Sequence, residues 1–307
     1  MINWKIILRI LAFLLYIESL LMNACSAFGF YYNEDDRWPF IIAAGVALLI
    51  GLTLNCIGRD ADKRFSRRDG YLIVSLSWIV FSLVGMLPYV LSGYIPSVSD
   101  AFFETMSGFT TTGASILNDI EALPHGLLFW RSMTQWIGGL GIIFFTIAVL
   151  PVFGVGGVQL FAAEATGPRH DKVHPRISVT AKWIWSIYLG LTVVCAFLFS
   201  LGGMSVFDSI CHSMATTSTG GFSTRNASIA TFDSAYIEYV TIFFMFLSGI
   251  NFTLLFLAFF KGRVGKLFSD TEFHWYASIV GVFTLVIALG LVIVRGGQIE
   301  ESFREAL

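Results

Sequence analysis

A short segment rich in threonine and glycine, Asp100 to Leu117, constrains this chain most, because it lies between two apolar runs of membrane-spanning length. Its amphipathic first part, Asp100 to Phe109, would reach only ~15 Å as a helix, about half the hydrocarbon thickness of a bilayer. Thr110 to Gly113 are poor helix formers. Irregular backbone at membrane depth requires burial in protein or a watery path. The segment therefore predicts a half-helix that enters the membrane and an extended return segment.

A second copy of this segment lies further along the chain. Asp208 to Ser223 reads DSICHSMATTSTGGFS, and an offset of 108 residues places Asp100 on Asp208 and Gly113 on Gly221. Each copy lies between apolar runs, so the internal repeat favours two re-entrant pore loops over two surface turns.

The composition is that of a polytopic membrane protein. Of 307 residues, 56% are hydrophobic and only 13% are charged, whereas soluble domains are about half apolar and a quarter charged. The net charge of −2 and the lack of basic segments with interleaved aromatic residues give no indication of nucleic-acid binding. The four cysteines have no metal-binding spacing and are predicted to be buried free thiols.

The predicted fold class is an all-α membrane protein of repeated helix–re-entrant pore loop–helix units, preceded by two extra transmembrane helices. We predict seven spans, one of them Tyr236 to Phe260. The predicted units are listed in chain order: two helices in 1–58, a first pore repeat in 71–151 with filter 110–114, a second in 181–261 with filter 218–222, and the start of a third repeat in 272–307.

The third repeat is predicted from the last residues of the sequence. Glu301 to Leu307 resembles Asp100 to Met106, the beginning of the first half-helix. Since two filters cannot surround an ion, we expect the chain to require further repeats for a closed pore, either as a fragment or in a larger assembly.

Positive residues predict the orientation. If the spans alternate, fourteen of the 19 Lys and Arg residues fall on one side, which the positive-inside rule makes cytoplasmic. The N-terminus is then cytoplasmic, and both half-helices enter from outside.

The filters are predicted to bind a monovalent cation through backbone oxygens. Extended backbone can present rings of carbonyl groups that replace the hydration shell of an ion. Alternating carbonyl directions require conformations that glycine adopts easily, as at Gly113 and Gly221. Neither filter contains a carboxylate, which favours a large, weakly hydrated monovalent ion over calcium.

Several side chains near the filters have structural interpretations. Asp100 and Asp208 are predicted N-caps, with attraction of cations as the alternative. Glu104 and His212 share a repeat position and are predicted to pack or to form hydrogen bonds. Arg131 is expected to anchor at the interface or brace a filter; a snorkelling Arg225 is at least as plausible as an ion-repelling one.

Four motifs resemble the TrkH branch of the bacterial Trk/Ktr potassium uptake proteins. They are FETMSGFTTTGAS at Phe103 to Ser115, QWIGGLGI at Gln135 to Ile142, HSMATTSTGGFST at His212 to Thr224, and SGINF at Ser248 to Phe252. The two extra N-terminal spans also fit that branch.

The resemblance implies potassium uptake across the bacterial inner membrane through four covalently linked repeats around one pore. It implies a homodimer, a cytosolic TrkA-type nucleotide-binding partner, and no bound cofactor. It assigns potassium to a set of filter carbonyls: those of Thr110, Thr111, Thr112, Gly113, Ser218, Thr219, Gly220 and Gly221. The sequence leaves channel-like flux and symport with sodium or protons open.

Two other classes compete with transport. An intramembrane enzyme would use Asp208, Cys211 and His212, but neighbouring helical residues point about 100° apart. A membrane scaffold without transport would not depend on Gly113 or Gly221.

Overall fold

The structure is a computed structural model that describes residues 2–59, 66–141, 177–295 and 299–307. Its described residues form thirteen α-helices and a short 3-10 helix, Ser228–Phe232. In chain order the α-helices are α1 Trp4–Tyr32, α2 Arg37–Ile57, α3 Arg67–Gly85, α4 Leu87–Ser92, α5 Val98–Phe109, α6 His125–Gly139, α7 Ile177–Leu201, α8 Val206–Thr217, α9 Ala235–Ser248, α10 Phe252–Lys261, α11 Val264–Ser269, α12 Thr271–Arg295 and α13 Ile299–Ala306.

The N-terminal helices α1 and α2 form a hairpin that packs against the first pore repeat. Asn3 caps α1 by accepting a hydrogen bond from the Ile6 N–H, and Asn33 ends it in the left-handed conformation. The buried side of α1 joins one hydrophobic core with α2, α3 and α6, which includes Ile7, Leu14 and Phe40. Glu18 is fully buried within this hairpin, so it faces protein, as predicted.

Five described helical segments are long and apolar enough to cross a membrane: Trp4–Tyr32, Arg37–Ile57, Arg68–Ser92, Lys182–Leu201 and Thr271–Val294. The predicted kink near Pro88 occurs, because α3 ends at Gly85 and α4 begins with Pro88 in its first turn. Of the predicted span Leu127 to Leu150, α6 is described and residues 142–150 lie outside the described residues.

The prediction of one continuous helix from Tyr236 to Phe260 is wrong. The segment is broken between α9 and α10, which meet at an angle of 101°. Gly249 follows the last residue of α9, and the Asn251 side chain caps α10 by accepting the Thr253 N–H. These two residue types favour helix ends, and they overrode the apolar character of the run.

The half-helices α5 and α8 lie in equivalent places of the two repeats. Helix α6, which follows α5 in the first repeat, packs against α5, α8 and α1. It therefore stands between the two half-helices and positions the segments that follow both of them.

Candidate filter site

Serine residues cap the half-helices, which corrects the predicted role of the two aspartates. Ser97 accepts the backbone N–H of Asp100, and Ser205 accepts that of Asp208. The aspartates lie in the first turn, where a negative charge is stabilised by the helix dipole.

Both half-helices end in the same hydrogen-bonded motif. The Thr111 and Thr112 N–H groups donate to the carbonyls of Gly108 and Ser107 at 3.0 and 2.9 Å. Thr219 and Gly220 repeat this pattern with Thr216 and Ala215 at 3.1 and 2.9 Å. This is a Schellman motif, which requires a left-handed residue after the helix.

The backbone then alternates between right- and left-handed conformations. Thr110 has φ −81° and Ser218 has φ −81°. Thr111 and Gly113 have φ of 54° and 74°, and Thr219 and Gly221 have 53° and 86°. Alternation of this kind turns successive N–H groups to one side, and in trans peptides the carbonyl groups point to the other.

The predicted glycines thus adopt positive φ, and two threonines join them. Threonine is β-branched and rarely left-handed, so the sequence gave no signal for Thr111 and Thr219 apart from their repeat positions. We refer to 110–114 and 218–222 as filter segments 1 and 2.

The two filter segments lie against each other. A Cβ atom added to Gly113 would overlap the Gly220 carbonyl oxygen, whereas one added to Gly221 would meet nothing within 4 Å. Gly138 packs on the backbone of Phe109, and Gly139 packs on Ser218. The predicted close approach at the GGLG motif therefore joins α6 to the ends of both half-helices.

Equivalent side chains hold the segment after each filter. Glu104 on α5 accepts hydrogen bonds from the Ser115 hydroxyl and the Ile116 N–H, both at 3.0 Å. At the matching positions, His212 Nε2 lies 2.8 Å from the Ser223 hydroxyl oxygen. The prediction that Glu104 and His212 form hydrogen bonds is confirmed, and their partners obey the same offset of 108 residues as the filters.

Arg131 on α6 connects the two repeats. Its guanidinium is 1% exposed, forms an ion pair with Glu104 at 2.9 Å, and donates to the Ser223 carbonyl at 2.9 Å. Its Cζ atom lies 4.2 Å from the centroid of the Phe222 ring. Of the two predicted roles, the structure supports bracing of the filter.

Asp208 and Arg225 form an ion pair beside the second filter segment. Arg225 Nη2 donates to Asp208 Oδ2, and Thr224 Oγ1 donates to Asp208 Oδ1, both at 2.6 Å. Burial opposes ionisation of Asp208, but hydrogen bonds from Thr224, Arg225 and Ser205 outweigh it and lower its pKa. Arg225 is therefore paired with a carboxylate, which neither predicted role anticipated.

The outer ends of the repeats are also joined. Asn226 donates from its side chain to Asp119 at 3.0 Å and accepts the Ile120 N–H at 2.7 Å. Glu34 and Asp36, in the loop between α1 and α2, accept the N–H groups of His125 and Leu127 at the start of α6. Residues this far apart in sequence carry no local signal of such contacts.

Within the described ranges, no group of three or more His, Cys, Asp or Glu side chains could hold a metal ion. The four cysteines are free. His212 pairs with Ser223 and with the Asp208 carbonyl oxygen, while Cys211 packs in the hydrophobic core that contains α1. The arrangement brings neither of the two together with the Asp208 carboxylate as a catalytic group.

Paired half-helices followed by backbone of alternating handedness, set between membrane-length helices, define the pore-loop class of membrane proteins. Comparison with known families then gives the particular assignment: the family profile described as TrkH, cation transport protein, matches residues 39–296. The chain belongs to the TrkH family.

Individual relatives agree with this assignment. The chain is 42% identical over 294 residues to the Trk system potassium uptake protein TrkH of Vibrio parahaemolyticus, covering 94% of this chain and 61% of the relative. It is 34% identical over 297 residues to the potassium uptake protein TrkG of Escherichia coli, covering 96% and 60%. It thus spans about three fifths of their length.

A solved structure is also similar. The crystal structure of the potassium transporter TrkH from Vibrio parahaemolyticus matches with a TM-score of 0.83 and 37% identity, covering all of this chain and 63% of that one. The predicted family and the predicted fold class, an all-α membrane protein with pore loops, are confirmed. The family is one of multi-pass cation transporters, which is not an enzyme class.

Proposed function

We propose that this chain takes part in potassium uptake across the bacterial inner membrane, as the membrane subunit of a Trk-type system or a part of it. The observation that carries the proposal is the repeated alternation of φ at Thr110–Gly113 and Ser218–Gly221, which collects carbonyl oxygens on one side of each segment.

The proposed potassium ligands are the backbone carbonyls of those same filter residues. Neutral carbonyl oxygens suit a monovalent ion, and the half-helices add the negative ends of their dipoles at the same depth. The relatives carry the name of potassium uptake proteins, which favours potassium over other monovalent ions.

The proposal extends to orientation and partners. The distribution of Lys and Arg favours a cytoplasmic N-terminus. The family resemblance favours a homodimer and a TrkA-type nucleotide-binding partner that contacts the basic cytoplasmic loops. We propose no enzymatic activity and no bound cofactor, and we retain 71–151 and 181–261 as the bounds of the two pore repeats.

The test is rubidium-tracer uptake into liposomes that contain the chain, compared with Gly113→Ser. The same pair is tested in a chimera in which the chain replaces the matching part of Escherichia coli TrkH, by growth of a potassium-uptake-deficient strain at low potassium. Gly113→Ser should abolish uptake, because its side chain would overlap the Gly220 carbonyl.

Gly93→Ser is the matched control. Gly93 has a left-handed φ of 78° like Gly113, but open space surrounds the position of its Cβ atom. Uptake should survive this change. Equal uptake by the Gly113→Ser protein would contradict the proposal and favour the alternative, a membrane scaffold without transport. Activity of the chimera alone would indicate that the two repeats work only together with further repeats.

A further inference from the structure

Gln135 is a buried polar residue that the bracing contacts described above do not include. It lies on α6 one turn after Arg131, on the same face of the helix, and it is 0% exposed. Its Oε1 atom accepts a hydrogen bond from the Phe222 N–H at 3.0 Å. Phe222 directly follows Gly221, the last proposed potassium ligand of filter segment 2.

This hydrogen bond determines the direction of a proposed ligand. The Phe222 N–H and the Gly221 carbonyl belong to one peptide group, and in a planar trans peptide they point in opposite directions. Since Gln135 holds the N–H toward α6, the Gly221 carbonyl points away from α6. A peptide that loses this acceptor can rotate, because glycine tolerates many backbone conformations.

The Gln135 amide also fills the space between the two filter segments. A Cβ atom on Gly220 would overlap the amide group, and one on Gly113 would lie 3.9 Å from Nε2. Nε2 itself has no hydrogen-bond partner among the described residues. A buried amide that leaves a donor unpaired is costly compared with an apolar side chain of the same size, so packing alone does not account for glutamine here.

We propose that Gln135 is a positioning residue for potassium selectivity, which fixes the Gly221 carbonyl toward the ion and keeps the two filter segments at their separation. This inference rests on the proposed function. The second repeat offers a natural comparison, because Met245 occupies the equivalent place at the offset of 110 residues that relates SGIN to GGLG.

The experiment measures how potassium and sodium shift the thermal unfolding of the purified chain in lipid nanodiscs. Gln135→Met keeps the length of the side chain without the amide oxygen, and Gln135→Glu keeps a carboxyl oxygen as acceptor. Ser132→Ala is the control, because the Ser132 hydroxyl donates to Leu128 within the same helix at 3.2 Å.

For Gln135→Met, we expect the half-saturating potassium concentration to rise about tenfold, equivalent to about 1.4 kcal/mol. Sodium binding should change much less, so the preference for potassium falls. Gln135→Glu and Ser132→Ala should retain the preference. If Gln135→Met does not fold, Gln135→Asn makes the same prediction, because its shorter side chain cannot reach the Phe222 N–H.

The outcomes separate this inference from the function on which it rests. A wild-type chain without potassium-specific stabilisation would overturn both. A wild-type chain with such stabilisation and a Met variant of unchanged ion preference would overturn the role of Gln135 alone. A Met variant with lower melting temperature but the same preference would mean that Gln135 is only structural.

Discussion

Gly113 and Gly221 occupy equivalent places in the two repeats, yet a side chain would meet different surroundings at each. Both have left-handed backbone, but only at Gly113 would a Cβ atom meet a neighbouring carbonyl oxygen. The repeat in the sequence predicted the equivalence of the two glycines and the unusual backbone. The difference in space depends on how the two segments pack, and a sequence offset cannot reveal it.

Alanine substitutions should expose this difference. Gly221→Ala and Gly93→Ala should each lower the free energy of unfolding by about 1–2 kcal/mol, the cost of a left-handed non-glycine residue. Gly113→Ala should cost clearly more, because the Gly220 carbonyl must also move. Denaturant unfolding in mixed micelles measures the three values. Equal losses at all three positions would argue against contact between the filter segments.

The buried pair of Glu104 and Arg131 makes a second prediction at this scale. Arg131→Met should destabilise the chain by about 3–5 kcal/mol, because it leaves the Glu104 carboxylate buried without a counter-charge. The double variant Glu104→Gln, Arg131→Met should recover much of that loss. The same unfolding measurement applies.

Arg225→Met provides the comparison, since the Arg225 side chain is 37% exposed and its ion pair is accessible to solvent. Its cost should be much smaller. A double variant as unstable as Arg131→Met alone would mean that the guanidinium acts through its contacts with Phe222 and Ser223 rather than through charge. The sequence predicted bracing as one role for Arg131, but not the partner, which lies on a different helix.

At the scale of elements, the start of α6 depends on the loop between α1 and α2. Pro124 at the N-cap position has no side-chain hydrogen bond, and Asp36 supplies the missing acceptor from another part of the chain. Burial, followed by the charge of Glu34, raises the pKa of Asp36 to about 6. An acidic loop was visible in the sequence, whereas its docking on α6 is a tertiary contact without a local pattern.

This pKa predicts a pH-dependent stability. Because the pKa of Asp36 is higher in the folded chain than in the unfolded one, its favourable contribution is complete below about pH 4 and disappears as the pH rises through about 6. Asp36→Asn keeps an acceptor oxygen without the charge. Its melting temperature should exceed that of the wild type at pH 7.5, with the difference shrinking toward pH 4.5.

The measurement is thermal unfolding in detergent between pH 4.5 and 7.5, with Asp35→Asn as the control because Asp35 precedes the docked residue. A constant difference between Asp36→Asn and the wild type across this range would contradict the raised pKa.

The break between α9 and α10 also belongs to this scale. Hydropathy alone favoured one span, and the SGIN match to GGLG was the only signal of a shared feature. Tyr276 of α12 donates to the Phe246 carbonyl at 3.0 Å, and the absence of a side chain at Gly249 leaves room for its ring. A contact from a third helix thus stabilises the end of α9, which explains why the periodicity of the segment itself did not reveal it.

At the scale of the whole molecule, the sequence was sufficient for the class, the repeats and the filter positions, because these follow from hydropathy, length and internal similarity. It was insufficient for the contacts between repeats. Arg131 and Gln135 of the first repeat reach Ser223 and Phe222 of the second, and Asn226 of the second reaches the loop after the first filter. Such contacts depend on how the units are arranged around the pore.

The position of α6 has a consequence for how such a protein could be recombined. By sequence, α6 belongs to the first repeat; by hydrogen bonding, it is also the rear wall of the second filter segment. A cut between the repeats in the region 140–180 would separate the second filter from its support. The heritable module of this architecture is therefore a filter together with the preceding wall, and duplication or exchange of the bare sequence repeat would transmit an unsupported pore loop.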